Sequence, residues 1–212
     1  MFTKRRIRKL FYLLLTLAFL FVTMPIYCRQ SVRRDFKRCF VKVRKESIGK
    51  TSFIHYLLIL AEDHRTELHF GVDFIAIVRA FKVNLLENKR QGASTIEQQL
   101  VRVITARREM TKSRKLREQL LAISICLFFS KKQIYIAYIN LGYYGEEFEH
   151  NKKLKLATYD CYYKLIAYLK YPKPSRPNVE HVAKIERRVR HIQLIESGSH
   201  SLIWRDNILI LE

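Results

Sequence analysis

The sequence predicts a mainly α-helical protein with one transmembrane helix at its N-terminus. Three observations predict it. Leu10–Tyr27 is an uncharged apolar run preceded by Lys4, Arg5, Arg6, Arg8 and Lys9. Apolar residues recur at three- and four-residue spacing through most of the chain beyond that run. Only six Gly and four Pro occur in 212 residues, too few turn-makers for an all-β chain. At 49% hydrophobic, the chain has the means to build a core and is not disordered.

The run at Leu10–Tyr27 is long enough to cross a bilayer at the short end of the range. No small-x-small cleavage site comes after it, which favours an uncleaved anchor over 1–28. Residues 29–50 are a basic juxtamembrane segment. Thr51–Ala61 is an apolar helix ending at Glu62 and Asp63. Phe74–Leu86 carries Ile77, Ala80, Phe81 and Leu85 at helical spacing. A helix from Ser94 to Thr105 opens with Ser94-x-x-Glu97, the pattern of a capping box. Arg114–Phe129 has Leu116, Leu120, Ile123 and Leu127 on one stripe. Lys131–Leu141 comes next and ends at Gly142. The prolines of PKPSRPN (172–178) mark an irregular stretch, and Val182–Ser197 reads as a further basic helix. The expected domains are the anchor at 1–28, the basic segment at 29–50, a helical domain at 51–195 and a tail at 196–212.

The net charge is +21, of which +12 lies in Met1–Lys45, where 13 Lys and Arg meet the single acid Asp35. A charge concentrated beside an apolar run suits an anionic membrane surface. It argues against nucleic acid as the partner, which calls for a basic binding face instead. Cys28, Cys39, Cys126 and Cys161 form no CxxC pair and no metal-ligand spacing. They read as inert thiols, with a Cys39–Cys161 bridge the one pairing open outside the cytoplasm.

Several residue types could carry chemistry. A carboxylate ending an apolar helix, as at Glu62, is the setting of a general base, and also of an ordinary helix-end acid. Gln98 and Gln99 are neutral groups able to hydrogen-bond ligand oxygens. They lie at a helix start, which itself favours phosphate. Arg102, Arg114 and Lys115 supply cations; taken alone, RKLRE (114–118) is equally a solvated helix face. Ser47-x-x-Lys50 has the letters of a transpeptidase nucleophile motif, but no partner motif accompanies it and the length leaves no room for that domain.

Four stretches occur in a fixed order: AEDHRTELHFGVD (61–73), QGASTIEQQLVR (91–102), RKLRE (114–118) and IYIAYINLGYYG (134–145). Together they resemble glycosyltransferase family 51, the peptidoglycan transglycosylase module of penicillin-binding proteins and monofunctional transglycosylases. The resemblance covers residues 51–195, closely as far as Gly145. It implies a lysozyme-like, two-lobed helical fold. It implies that Glu62 is the catalytic base and Glu118 the second carboxylate. Asp63, Arg65, His69, Ser94, Gln98, Gln99, Arg102, Arg114 and Lys115 then face substrate. It implies polymerisation of lipid II into glycan strands with inversion, at the bacterial inner membrane. The protein would be single-pass, with the domain on the periplasmic or extracellular side, and cell-wall synthesis proteins would be partners. The sequence requires no cofactor; a divalent metal, Mg or Mn, at Glu118 is what the family implies. The alternative is a degenerate relative that binds lipid II or nascent glycan without polymerising it.

The chain departs from the family pattern at several positions. His64 stands for Arg, Thr66 for Phe, Phe70 for His, Ala93 for Gly, Glu97 for Thr, Arg102 for Lys and Gln133 for Glu. Met110 stands where the family has an Arg, with Arg107, Arg108 and Lys112 as the neighbouring cations.

Overall fold

A computed structural model describes residues 2–49, 52–86, 92–146, 159–176 and 178–199. Among them the only β pairing is an isolated bridge between Gly145 and Lys173, and the rest of the regular structure is helical. The helices are α1 (Phe2–Tyr27), α2 (Gln30–Glu46), α3 (Phe53–Glu62), α4 (Phe74–Leu86), α5 (Ile96–Thr105), α6 (Lys112–Phe128), α7 (Lys131–Leu141), α8 (Tyr159–Lys170) and α9 (Val179–Glu196). The mainly α fold expected from the helical spacing is thus present. The tail from 200 to 212, Lys50 of the Ser-x-x-Lys stretch, and Ala157 and Thr158 lie outside the described residues.

α3 is the central element. Ile54, His55, Leu57, Leu58, Ile59 and Leu60 are all buried, because a run apolar on every face can only sit inside. A reciprocal cap starts it: the Ser52 N–H donates to His55 Nδ1 at 3.0 Å. α7 packs beside it, α5 packs on α7 and α6 on α5, and Leu100, Val101, Leu120, Leu121, Ile125, Ile134 and Tyr135 join the same core. α8 and α9 cover its other side, with Leu165, Ile166 and Ile192 in the same core.

The basic segment at 29–50 is largely helical and packed. Most of it is α2, which turns Val32, Cys39 and Val43 into the core and its cations outward. Asp35, the buried one of its two acids, pairs with Arg107 at 3.0 Å and Arg117 at 2.8 Å and fastens α2 to the domain. α1 begins earlier than the apolar run alone suggested, since its basic residues continue the same helix. By length and composition it can cross a membrane. One face lies against the domain: Tyr12 is buried and donates to Asp73 at 2.6 Å, and Arg5 pairs with Glu67 at 2.9 Å.

Two helix starts differ from expectation or explain a departure. α5 is capped by Thr95, whose hydroxyl accepts from Gln98 N–H, one residue later than the Ser94 box predicted. Glu97 is therefore not a capping partner. Gln133 is one: it closes a capping box with Ser130 at the start of α7, a role Gln fills as well as Glu. Gly142 ends α7 for space, not for a left-handed turn, because a Cβ there would strike Leu169. All four cysteines are free, so the Cys39–Cys161 bridge does not form. Burial pushes the Cys39 and Cys126 thiols up to about 12, which makes them inert.

Candidate active site

α3 delivers Glu62 to the wall of a cavity of about 500 Å³. The cavity is lined from motif one by Glu62, Asp63, His64 and Arg65, and from the α5 start by Ser94, Thr95, Gln99 and Arg102. Arg79, Lys170, Arg188 and His191 complete its polar lining together with Asp73. Glu62 and Gln99, 37 positions apart, are bridged directly: Gln99 Nε2 donates to Glu62 Oε2 at 3.0 Å. Gln99 Oε1 in turn accepts from the Tyr138 hydroxyl at 2.6 Å, which ties the fourth motif to the first two.

Beside the cavity the second and third motifs form one cationic cluster around Glu118, whose side chain is 3% exposed. Arg102 makes a two-pronged contact, Nε to Oε2 and Nη2 to Oε1, both at 3.0 Å. Arg114 Nη1 reaches Oε2 at 2.5 Å, and Lys115 Nζ reaches Oε1 at 2.7 Å. Lys115 also donates to Ser94 Oγ at 2.9 Å and Gln98 Oε1 at 2.6 Å. Burial alone would push the Glu118 carboxyl up. Hydrogen bonds from Arg102 and Lys115, with their charges, outweigh it and hold the carboxyl below its usual range. Arg102 is raised by the same bonds, while burial lowers Lys115. Three cations on one carboxylate leave a net positive centre fit for a diphosphate.

That arrangement does not suit a divalent metal at Glu118. Both carboxylate oxygens already accept from cations, and an added dication would face three positive groups. Metal-ligand proximity does occur among the described residues at Asp63, His69 and Glu97. There Lys131 bonds Glu97 and supplies the counter-charge.

Motif one divides between wall and support. Arg65 is 2% exposed and spends Nε and Nη2 on Asp73 at 2.8 and 2.6 Å. Asp63 accepts from Ile96 N–H at the start of α5 and bonds His69 Nε2 at 3.0 Å. His69 is buried behind the wall and is not part of the lining. Asp73 also caps α4 through Ala76 N–H at 2.8 Å.

The departures from the family pattern acquire physical reasons. Thr66 is fully buried and hydrogen-bonds the Tyr135 hydroxyl at 2.5 Å, so a hydroxyl pair fills that position. Glu97 is fully buried on Lys131, turned away from the cavity and from any anionic substrate. Burial alone would lower Lys131, but Glu97 outweighs it and raises the ammonium, so the pair is ionic. Burial and then Arg65 lower the His64 imidazole, which is neutral at neutral pH. Met110 is 96% exposed in the loop between α5 and α6 and lies outside the lining. Arg107 does not replace the missing family Arg, since it turns to Asp35.

The cations Arg79, Lys170 and Arg188 were not singled out from the sequence. Arg188 is the most consequential. It lies 126 residues after Glu62, in a helix read only as basic, and contacts Glu62 Oε1 at 2.6 Å. A lone Arg in a basic helix carries no local mark of such a partner.

The helical domain thus encloses a cavity with Glu62, Asp63 and Asp73 in its wall and a cation cluster beside it. Residues 33–155 match the family described as Transglycosylase, and the chain belongs to that family. Its domain is lysozyme-like and all-helical. The chain is 46% identical over 88 residues to penicillin-binding protein 1A of Aquifex aeolicus, a match spanning 41% of this chain and 12% of that protein. It is 39% identical over 89 residues to a putative transglycosylase of Cupriavidus necator, spanning 42% and 38%. Penicillin-binding protein 1A of Streptococcus pneumoniae is 39% identical over 89 residues, 41% of this chain and 12% of that protein. The matches therefore span well under half the length of these relatives.

Proposed function

We propose that this protein is a peptidoglycan glycosyltransferase that polymerises lipid II into glycan strands at the bacterial inner membrane. The observation that carries the reading is Glu62 in the wall of the same cavity as Arg102, with Arg114 and Lys115 gathered behind it on Glu118. Glu62 takes the proton of the acceptor sugar's hydroxyl. The acceptor oxygen bonds the donor's anomeric carbon from the face opposite the leaving group, so the configuration inverts. The bond from that carbon to the diphosphate breaks, and the diphosphate leaves with the electron pair. Arg102, Arg114 and Lys115 neutralise it, and fixed charge of this kind is the largest catalytic term in many enzymes. Ser94 and Gln98 orient Lys115. Glu118 acts by holding the cations, and no step passes through a metal.

On this reading α1 within 1–28 gives up its contacts through Arg5 and Tyr12 to enter the bilayer, anchors the chain, single-pass, and keeps the cavity near the membrane where a polyprenyl substrate lies. The catalytic domain lies on the periplasmic or extracellular face and includes α2. Nascent glycan and other wall-synthesis proteins are its partners. A second reading, binding without turnover, is favoured by one observation: both Glu62 oxygens already accept hydrogen bonds. The test is polymerisation of labelled lipid II by the purified full chain, beside Glu62→Gln. Polymer from the wild type and a loss of about 10³-fold in the variant is expected. A folded wild type that binds lipid II and makes no polymer would overturn the enzyme reading in favour of the binding one.

A further inference from the structure

We propose that Arg188 is the positioning residue of the base: it fixes Glu62 to the end of α3 and leaves Oε2 as the oxygen that receives the acceptor's proton. The inference rests on Glu62 being the base in the reading above. A single nitrogen, Arg188 Nη2, donates to Glu62 Oε1 at 2.6 Å and to the Ala61 carbonyl at 2.7 Å. That carbonyl belongs to the last turn of α3, where carbonyls have no partner within the helix. The carboxylate is thereby tied to its own backbone through one group. The Arg188 and Glu62 side chains are 10% and 11% exposed, so little water competes for the contact.

The other oxygen is held by weaker means. Gln99 Nε2 donates to Oε2 at 3.0 Å, and the Tyr138 hydroxyl orients Gln99. Burial, and next the Glu62 charge, raise the Tyr138 phenol, so it stays a donor at neutral pH. The two oxygens are therefore unequal. A proton arriving at Oε1 would meet a permanent cation. A proton arriving at Oε2 meets a neutral amide that can give way, and leaves Oε1 bonded to Arg188 throughout. The acceptor O–H bond breaks, its proton passes to Oε2, and Arg188 contacts neither sugar in that step.

Two measurements test the assignment. The first needs no turnover: coupling of an amine to Glu62 by a water-soluble carbodiimide, read by mass spectrometry on the full chain in detergent. Arg188→Gln is expected to couple several-fold faster than the wild type. Arg188→Lys should remain slow, because one ammonium can serve both acceptors that Nη2 serves. Arg190→Gln, on the same helix, is the control. Equal coupling in wild type and Arg188→Gln would overturn the clamp. The second is polymerisation kinetics. Arg188→Gln is expected to lower kcat about 10²-fold with KM near the wild-type value. Arg188→Lys should restore most of the rate. A loss confined to KM would make Arg188 a substrate contact, and a gain in kcat would make it an inhibitory latch; either overturns the proposal. Faster coupling in Arg188→Gln beside a wild type that makes no polymer supports the clamp and retires the enzyme reading separately.

Discussion

Replacing Glu118 by Gln removes one negative charge and almost no volume from beneath three cations. In the wild type the carboxylate is 3% exposed and accepts from Arg102, Arg114 and Lys115. Breaking a buried ionic contact by neutralising one partner costs about 3–5 kcal/mol. Arg102 and Lys115 are 39% and 33% exposed, so solvent screens their shares, whereas Arg114 at 14% is screened less. The lower end, about 3 kcal/mol, is the expected loss at neutral pH. For a chain of this size that lowers Tm by roughly 6–12 °C. The pH dependence has a fixed sign. The folded Glu118 carboxyl lies below its ordinary 4.5, while the unfolded chain titrates at the ordinary value. Its contribution is fully present above that value and is lost as pH falls through the lowered folded one. The assay is thermal unfolding of the full chain in detergent, monitored by circular dichroism from neutral pH into acid. The two proteins should differ fully at neutral pH and converge in acid. A difference under about 1 °C at neutral pH, or one that persists unchanged in acid, would refute the charge-cluster reasoning.

Three further outcomes are expected. Lys131→Met leaves Glu97 buried without a counter-charge and should cost about 3–5 kcal/mol in denaturant unfolding, while Lys131→Met with Glu97→Thr should recover most of that loss. Gly71→Ala should destabilise by more than about 3 kcal/mol or prevent folding: φ is +92°, and a Cβ there would lie 2.6 Å from the Ala122 backbone in α6. Met110→Ala should keep polymerisation within about twofold and stability within about 0.5 kcal/mol, because the side chain is 96% exposed and away from the cavity.

The sequence by itself determined α1, α3 to α7, α9 and the motif-bearing residues. Apolar spacing marked α3 to α7, because a helix must turn one stripe inward and a stripe is local information. The order of the four motifs identified Glu62, Arg102 and Glu118 as the residues to pursue. Tertiary structure decided which groups share an oxygen. It turned Glu97 inward onto Lys131, paired Thr66 with Tyr135, and set three cations on Glu118. It also carried Arg188 across 126 residues to Glu62 and brought α2 into the core. The reason is physical. Periodicity fixes which face of a helix is buried, but a buried charge must find its counter-charge on another element. That partner is set by how the helices pack, and no spacing along the chain encodes it.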